Sequence, residues 1–542
     1  MNAKEIIMGF AKAKSDRVTV ESTWEDLAYY TIPRKRDIQS KSEPGDRMNF
    51  DVYDDTAIQS NLILAAGLSG YMTNAAQRWF EIRAQDKALM EEDGVKSWFN
   101  KCTEIMYAAM AGSNFYQQVH EVYLDLGSLG TATLYEAEDA KEDIRFYSRP
   151  PKEVYAVENE REEIDMVYRY FEMTAYKAYN FFGSKKCGES IRKAVEEKKD
   201  YGKIFNFIHH VGPRHKRDVG KIDSVNMAFF SYWVSEADSK IVKEGGYDEF
   251  PFFTTRFYKN SNEVYGYSPS WACFPDILML NKMMKIYIEG AEIAIYPPWL
   301  MESDSIIGTL DLRAAAVNYQ RQPLSQGRAV EPMNTGMKGN VAIDFINRTE
   351  ANIKASYFTD LFLMLTQNNN MTATEVIERT QEKMLMLGPV LGRLQSELLN
   401  PIIRRTFNIL LRRGKFPEVP EALQEAHYDI KYVSPLAKAQ RAVQAKDMNT
   451  FLNVIGGMAQ LAPEVLDMIN GDEIVRKMSD IYSVDPDILN DKSVVDGTRK
   501  KRAEAQQAQG KMAMMQQLNE GNKIDSESKL NAANAKAVGQ SK

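Results

Sequence analysis

Three histidines, His209, His210 and His215, stand close together, with Asp218 and Asp223 a few residues on. Imidazoles and carboxylates at such range are the raw material of a metal centre or an acid–base pair. The spacing matches no zinc arrangement, however, and Gly212-Pro213 sits inside the cluster as a turn signal, so the set reads as a polar strand end. Cys102, Cys187 and Cys273 are far apart and odd in number. They suggest neither a disulfide framework nor a thiolate metal site, and suit a reducing cytoplasm. No G-x-x-x-x-G-K-[ST], H-E-x-x-H or G-x-S-x-G occurs. Carboxylates are plentiful, 75 Asp and Glu against 68 Lys and Arg for a net charge of −7, but none stands out as a metal-binding cluster. No cofactor is expected. A DNA-processing enzyme with an uncharted carboxylate site, such as a nuclease subunit, is kept as an alternative.

Two polar stretches have a binding reading. Arg34-Lys35-Arg36 follows Pro33 at a helix end, where basic groups complement the macrodipole; a phosphate contact is the sharper alternative. Asn368-Asn369-Asn370 favours a turn with local hydrogen bonds to the backbone. Behind it, Thr372 and Glu375 have capping-box spacing. Val376, Leu387, Val390, Leu391, Leu394 and Leu398 then recur at helical spacing. Gly388-Pro389 predicts a kink, because Pro389 has no N–H and its ring meets the carbonyl four residues back.

The elements that carry these residues are legible as patterns. A chain of 542 residues outgrows one hydrophobic core, so several subdomains are expected. Residues 1 to about 125 read as helical. Ser22 and Glu25 make another capping-box spacing ahead of Trp24, Leu27 and Tyr30. Asp54-Asp55 can cap a helix that turns Ile58, Leu62, Ala65 and Leu68 to a core, and Trp79 to Ile82 reads as a strand. Between 129 and 260, β-rich runs at 144–147, 153–157, 166–170 and 227–233 are punctuated by Pro150-Pro151 and Gly245-Gly246 as turns. Helices are expected at Thr174–Phe182 and Glu189–Lys198, which makes this an α+β lobe.

Pro275-Asp276 then starts a helix unlike the rest. Ile277, Leu280, Met284 and Ile288 form one stripe, and Leu278, Met279, Met283, Ile286 and Tyr287 widen it. Only Lys282, Lys285, Glu289 and Glu292 form a narrow polar face. Such a helix must be buried on several sides, either across a large core or against copies of itself around a ring. Pro297-Pro298 ends it. Residues 302–347 are loop-rich and nearly charge-balanced, with Arg313, Arg321, Arg328 and Lys338 among the cations. A helix is expected over Thr349–Gln367, more helix from Ile402 to Leu411, a strand at Ile430–Val433, a helix start at Ser434-Pro435, and amphipathic helices at Met448–Leu461 and Glu464–Ser479. The tail from Thr498 holds nine Lys and Arg against four Asp and Glu, and reads as helical or disordered. The body is therefore acidic, which argues against a sequence-specific DNA binder. No N-terminal signal pattern is seen, and the most apolar run, Asn61 to Met72, is too short to span a bilayer.

Four phrases carry a resemblance: DTAIQSNLILAAGLSGYMTNAAQRWFEI at 55–82, the YGYSP…PDI…LN wording within 264–301, MTATEV followed by LGPVLGRLQSELLNPII within 371–405, and SPLAKAQRA at 434–442. Over most of 15–445 the chain resembles the head–tail connector (portal) proteins of podovirus-type tailed bacteriophages. The resemblance implies a multi-subdomain α+β portal fold. Its parts would be a wing at 1–263, a first stem helix at 264–300, a clip at 301–346, a second stem helix at 347–366 and a tunnel loop at 367–371. A kinked helix returning to the wing at 372–430, a crown at 431–497 and a polar tail at 498–542 would follow. It implies buried stem helices packed through Ile277, Leu280, Met284 and Ile288, a clip surface bearing Arg313, Arg321, Arg328 and Lys338, and a channel loop of Gln367, Asn368, Asn369, Asn370 and Met371 against DNA. It further implies a passive homo-oligomeric ring, a dodecamer, at one capsid vertex of the virion, made in the host bacterial cytoplasm. Double-stranded DNA would pass without sequence readout. Terminase, then a tail adaptor, would dock, with scaffold, major capsid and internal core proteins as further partners and no membrane. Another virion assembly protein, such as a tail-tube component, is the remaining alternative.

Overall fold

The computed structural model describes residues 2–301 apart from 42, 44, 47, 87–88, 92–93, 219 and 222, and then 319, 330–332, 339–367, 386–423, 428–432, 448–458, 469–482 and 492–539. The chain divides into two compact units. The larger comprises Met1–Trp79, Ile105–Lys415 and Ser434–Leu436; the smaller comprises Phe80–Glu104, Phe416–Val433 and Ala437–Lys542.

The larger unit opens with helix α1 (Ala3–Thr31). Its capping box is at the very start: Asn2 Oδ1 accepts from the Glu5 N–H at 2.9 Å, and the Glu5 carboxylate accepts from the Asn2 N–H at 2.9 Å. The start expected at Ser22 is overturned. The helix runs through it, and the Ser22 hydroxyl donates to the Thr19 carbonyl instead. A continuous buried face of Ile6, Phe10, Trp24, Leu27 and Ala28 outweighs the local signal. Helix α2 (Thr56–Met72) receives its cap from Asp54, whose carboxylate accepts from the Thr56 N–H. It buries Ala57, Leu64, Ala65, Leu68 and Met72, whereas Leu62, expected inside, is 42% exposed. The register is set by helix α4 (Phe115–Leu129), which follows α3 (Val95–Gly112). Asn61 donates to the Leu124 carbonyl there, and a Cβ on Gly127 would meet Asn61 Oδ1 at 2.2 Å.

Two antiparallel sheets follow. One pairs β3 (Asp143–Arg149) and β9 (Phe252–Arg256) on either side of β2 (Thr131–Asp139). The other runs in sequence order through β4 (Val154–Glu158), β5 (Ile164–Thr174), β6 (Ile204–Pro213), β7 (Phe229–Ser235) and β8 (Lys240–Tyr247). One face of this sheet packs on α1 through Ile6, Phe10, Tyr155, Tyr168, Ile208 and Tyr232. The other packs on α5 (Ala175–Phe182) and α6 (Glu189–Arg192) through Phe171, Phe182, Ile191, Phe205 and Phe207. The strand β6 is thus covered on both faces. Gly245 and Gly246, expected to mark a turn, lie inside β8. A Cβ on Gly246 would come within 2.3 Å of the Ser224 carbonyl oxygen, so the glycine serves a close backbone approach rather than a reversal.

The short helix α7 (Pro269–Ala272) leads into α8 (Phe274–Ile295). Strands β10 (Trp299–Met301) and β11 (Val330–Pro332) then pair antiparallel. Helix α9 (Gly339–Ser356) begins within the stretch read as loop, and the single helix expected over Thr349–Gln367 is broken. Phe358 adopts φ 56° before α10 (Thr359–Gln367). The Thr359 hydroxyl caps the break on the Lys354 carbonyl at 2.8 Å, and the buried Tyr357 hydroxyl lies 2.5 Å from Ser270 Oγ.

Helix α11 (386–394) passes through Pro389, and the residue four before it, 385, lies outside the described residues. The described departure from α-geometry comes later, in the π-turn Gln395–Leu399 ahead of α12 (Asn400–Arg412). Pro401 cannot donate to the Glu397 carbonyl, and the Asn400 N–H reaches back five residues to Gln395.

In the smaller unit, β1 (Phe80–Ala84) pairs antiparallel with β12 (Tyr428–Tyr432). Among its described residues the α-helices are the first part of α3, α13 (448–458), α14 (Gly471–Tyr482) and α15 (Lys492–Gly539). Asn470 caps α14, so the helix expected from Glu464 starts at Gly471 with 469–470 non-helical. The start expected at Ser434-Pro435 lies outside the described residues. The tail is helical, one 48-residue helix whose described side chains are exposed from Asp496 onward.

Candidate functional site

The histidines do not converge. His209 and His210 are consecutive in β6 and face opposite sides of the sheet. His209 Nε2 is 2.9 Å from Ser231 Oγ and its ring stacks on Trp233; His210 Nδ1 is 3.2 Å from the Val167 carbonyl and its ring stacks on Tyr168. His215 is exposed beyond the strand. Among the described residues no group of three or more His, Cys, Asp or Glu could hold a metal ion. The cysteines are buried, and burial pushes the Cys102 and Cys273 thiols up to about 12, far from thiolate chemistry.

The basic triplet is engaged within the chain. Arg34 makes a two-pronged contact with Glu121 at 2.9 and 3.0 Å. Lys35 reaches the buried Asp125 at 2.5 Å, and Arg36 donates to the Met48 carbonyl. Arg34 and Lys35 thereby fasten the end of α1 to α4, and the phosphate reading is left without support. A second ion cluster had no signal in the sequence. Arg256, buried at the end of β9, donates to Glu397 through its backbone N–H at 2.9 Å and through Nη2 at 2.7 Å, and also contacts Glu158. Glu397 comes from the π-turn, so that irregular turn aims a carboxylate at a buried guanidinium.

Asn368, Asn369, Asn370 and Met371 lie outside the described residues, as do Arg313, Arg321, Arg328 and Lys338. Gln367 is the last residue of α10. The four stem residues are all described. Ile277 and Leu280 are buried, Met284 is half-buried and Ile288 is exposed.

That gradient makes α8 the candidate site. Its first turns are anchored: the Asn281 side chain accepts from the Tyr53 N–H at 2.7 Å and donates to the Asp51 carbonyl at 3.0 Å. Its inner face rests against α9. Beyond Leu280 no described residue of α8 is fully buried. Met279, Ile286 and Ile293 recur seven residues apart on one flank. Ile288 and Ile295 recur seven apart about 170° round the helix at 3.6 residues per turn, in line with the buried Ile277. Both rows are exposed, Ile286 at 56% and Ile295 at 71%. On α9, Ile343 and Phe345 are exposed as well. A surface helix normally turns one apolar stripe inward and polar residues outward; this one carries a further apolar row, Met279–Ile286–Ile293, and an inner stripe whose outer end, Ile288 and Ile295, its own chain does not cover.

Residues 3–489 match the family described as "Bacteriophage head to tail connecting protein". The chain belongs to that family. Two of its relatives span it almost end to end. The portal protein of Salmonella phage epsilon15 is 31% identical over 543 residues, covering 98% of this chain and 97% of that protein. The probable portal protein of Bordetella phage BPP-1 is 29% identical over 524 residues, covering 95% and 93%. The connector family expected from four short phrases therefore holds across the chain, and the DNA-processing enzyme is not favoured. The family match stops three residues short of α15. Among the described residues, no helix of this connector is long and apolar enough to cross a membrane.

Proposed function

We propose that the chain is the repeating subunit of a portal ring, by resemblance a dodecamer, set at one capsid vertex. The ring serves as a passive conduit for double-stranded DNA in packaging and ejection. Terminase and later a tail adaptor dock on the 301–346 clip with its Arg313, Arg321, Arg328 and Lys338. Scaffold, major capsid and internal core proteins contact the rest, and the Gln367–Met371 loop meets the DNA. The observation that carries the reading is the pair of uncovered apolar rows on α8. One row would serve a two-fold dimer. Two rows on opposite flanks suit a helix with a neighbour on each side, the heterologous arrangement that closes into a ring. Ile277 and Leu280 then fix α8 to its own chain, while Ile288 packs between subunits.

The test is negative-stain electron microscopy with native mass on the purified chain. Closed rings are expected. Ile286→Glu on one flank, or Ile295→Glu on the other, should each leave a folded monomer that forms none. A compact dimer that persists at high concentration, in the unmodified chain, would end the proposal.

A further inference from the structure

One row of side chains crosses the five-stranded sheet along the seam between two of its covers. Val154, Arg169, His209, Trp233 and Lys243 stand opposite one another from strand to strand, so they share one face. Two residues to one side, Phe171 and Phe207 lie under α5 and α6. Two residues to the other, Val167 and Val211 pack with Phe252 of β9. Arg149, the last residue of β3, comes to the same seam. Its guanidinium carbon lies 4.6 Å from the centroid of the Tyr147 ring and 5.3 Å from that of Tyr135, and the Tyr135 ring is 6.4 Å from the His209 ring.

Each cation of the seam rests on an aromatic face. Arg169 lies 4.0 Å from the Phe171 centroid, and the Lys243 ammonium lies 4.9 Å from that of Phe181. One carboxylate acts on both arginines, Glu153, and it accepts from Arg169 Nε at 2.8 Å. Among the described residues Arg149 makes no hydrogen bond or ion pair, and Lys243 makes no ion pair. Arg149 Nε is enclosed without an acceptor. Burial, and then the nearby Arg169 cation, bring the Arg149 guanidinium down to about 10, the mark of a positive charge short of a counter-ion. His209 adds no charge, because burial holds its imidazole neutral at pH 7 beside Ser231.

We propose that this seam binds one oxyanion, of phosphate or carboxylate type, on the terminal nitrogens of Arg149, with Arg169 and Lys243 adding to the positive field. A guanidinium carries five donors and no acceptor. Ring faces hold it flat but take none of those hydrogen bonds, so its edge stays free for the two parallel contacts that suit an oxyanion. Arg149 is half-buried, so that edge is open to solvent on one side. An arginine on an open surface is satisfied by water alone. This one has lost water at Nε and stands beside a second guanidinium whose carboxylate is already engaged. The site lies within one chain and does not depend on the ring.

Isothermal titration calorimetry of the full chain with sodium phosphate, and separately with sodium acetate, at matched ionic strength tests the site. Saturable binding of one anion per chain is expected. Arg149→Met should weaken it about tenfold or more, the loss of one charge-assisted hydrogen bond. Lys101→Gln, which removes an exposed cation from α3, should leave it unchanged. The tighter anion names the source: phosphate points to a phosphoryl ligand, acetate to a carboxylate side chain of a partner. A second measurement needs no variant. Phenylglyoxal should modify Arg149 more slowly with the tighter anion present, as located by mass spectrometry. No saturable binding of either anion, equal binding by Arg149→Met, or a modification rate at Arg149 that neither anion changes would each overturn the site.

Discussion

His209 and His210 show how much a side chain's role depends on what covers it. Burial holds the His209 imidazole well below its ordinary range, with Arg169 and Arg149 adding to the effect, and brings His210 down to about 4 against the opposing Val167 hydrogen bond. The unfolded chain protonates these rings near pH 6.5. Between there and pH 4 the unfolded state binds more protons, so folding stability falls with falling pH, by roughly 1.4 kcal/mol per pH unit for each histidine. Urea midpoints followed by tryptophan fluorescence should therefore drop between pH 7 and pH 5, and His210→Phe should make that drop shallower. Arg256 carries the other residue-scale expectation. Replacing it by Met leaves Glu397 with only the 3.8 Å contact to Arg393, and Glu158 with Lys259, and should cost about 3 kcal/mol, read as a lowered thermal midpoint. Neither site was legible beforehand for the same reason. A histidine triplet looks like chemistry until its neighbours are known, and a lone arginine in a strand carries no mark of the carboxylates that fold brings to it from residues 158 and 397.

At the scale of elements, the joint between α9 and α10 is the point of backbone strain. A left-handed φ is costly for a phenylalanine and worse for a β-branched residue. Phe358→Gly should leave the thermal midpoint unchanged or higher, and Phe358→Val should cost about 1–2 kcal/mol of stability, read as a lower midpoint. The pattern of Ile353, Tyr357 and Leu361 reads as uninterrupted helix because nothing in it records that the Tyr357 hydroxyl is held at Ser270. Several elements were readable: the strands expected at 144–147, 153–157, 166–170 and 227–233 and the helix expected at 174–182 all stand close to where the residues place them. The strand β6 went unread because its Asn206, His209 and His210 interrupt the apolar run, and β2 because its Ala and Glu content is that of a helix. The π-turn was unreadable because Pro401 acts backwards along the chain, on residues whose own preferences are ordinary.

At the scale of the molecule, the α8 flanks make a prediction that a simple loss of assembly does not. A chain carrying Ile286→Glu keeps the Ile288–Ile295 flank, and one carrying Ile295→Glu keeps the Met279–Ile293 flank. Mixed, they share one good interface and should give a heterodimer that grows no further. A two-fold interface would give no such product. Native mass of the mixture decides between them. The apolar rows themselves were visible in the sequence, down to the choice between a large core and a ring. What the sequence withheld was that the chain leaves them uncovered, since burial by one's own chain and burial by a neighbour demand the same residues.

The pairing of β1 with β12 has a consequence in time. Phe80 lies opposite Tyr432, so the partner of β1 is made about 350 residues later. At about 5–20 residues per second, the strand Phe80–Ala84 waits on the order of 20–70 s with its ladder open. An open strand edge is a template for other chains. The smaller unit is thus the last to close on the ribosome, and chains stopped short of residue 428 should accumulate as aggregates where the full chain stays in solution, which a series of truncations compared by sedimentation would show.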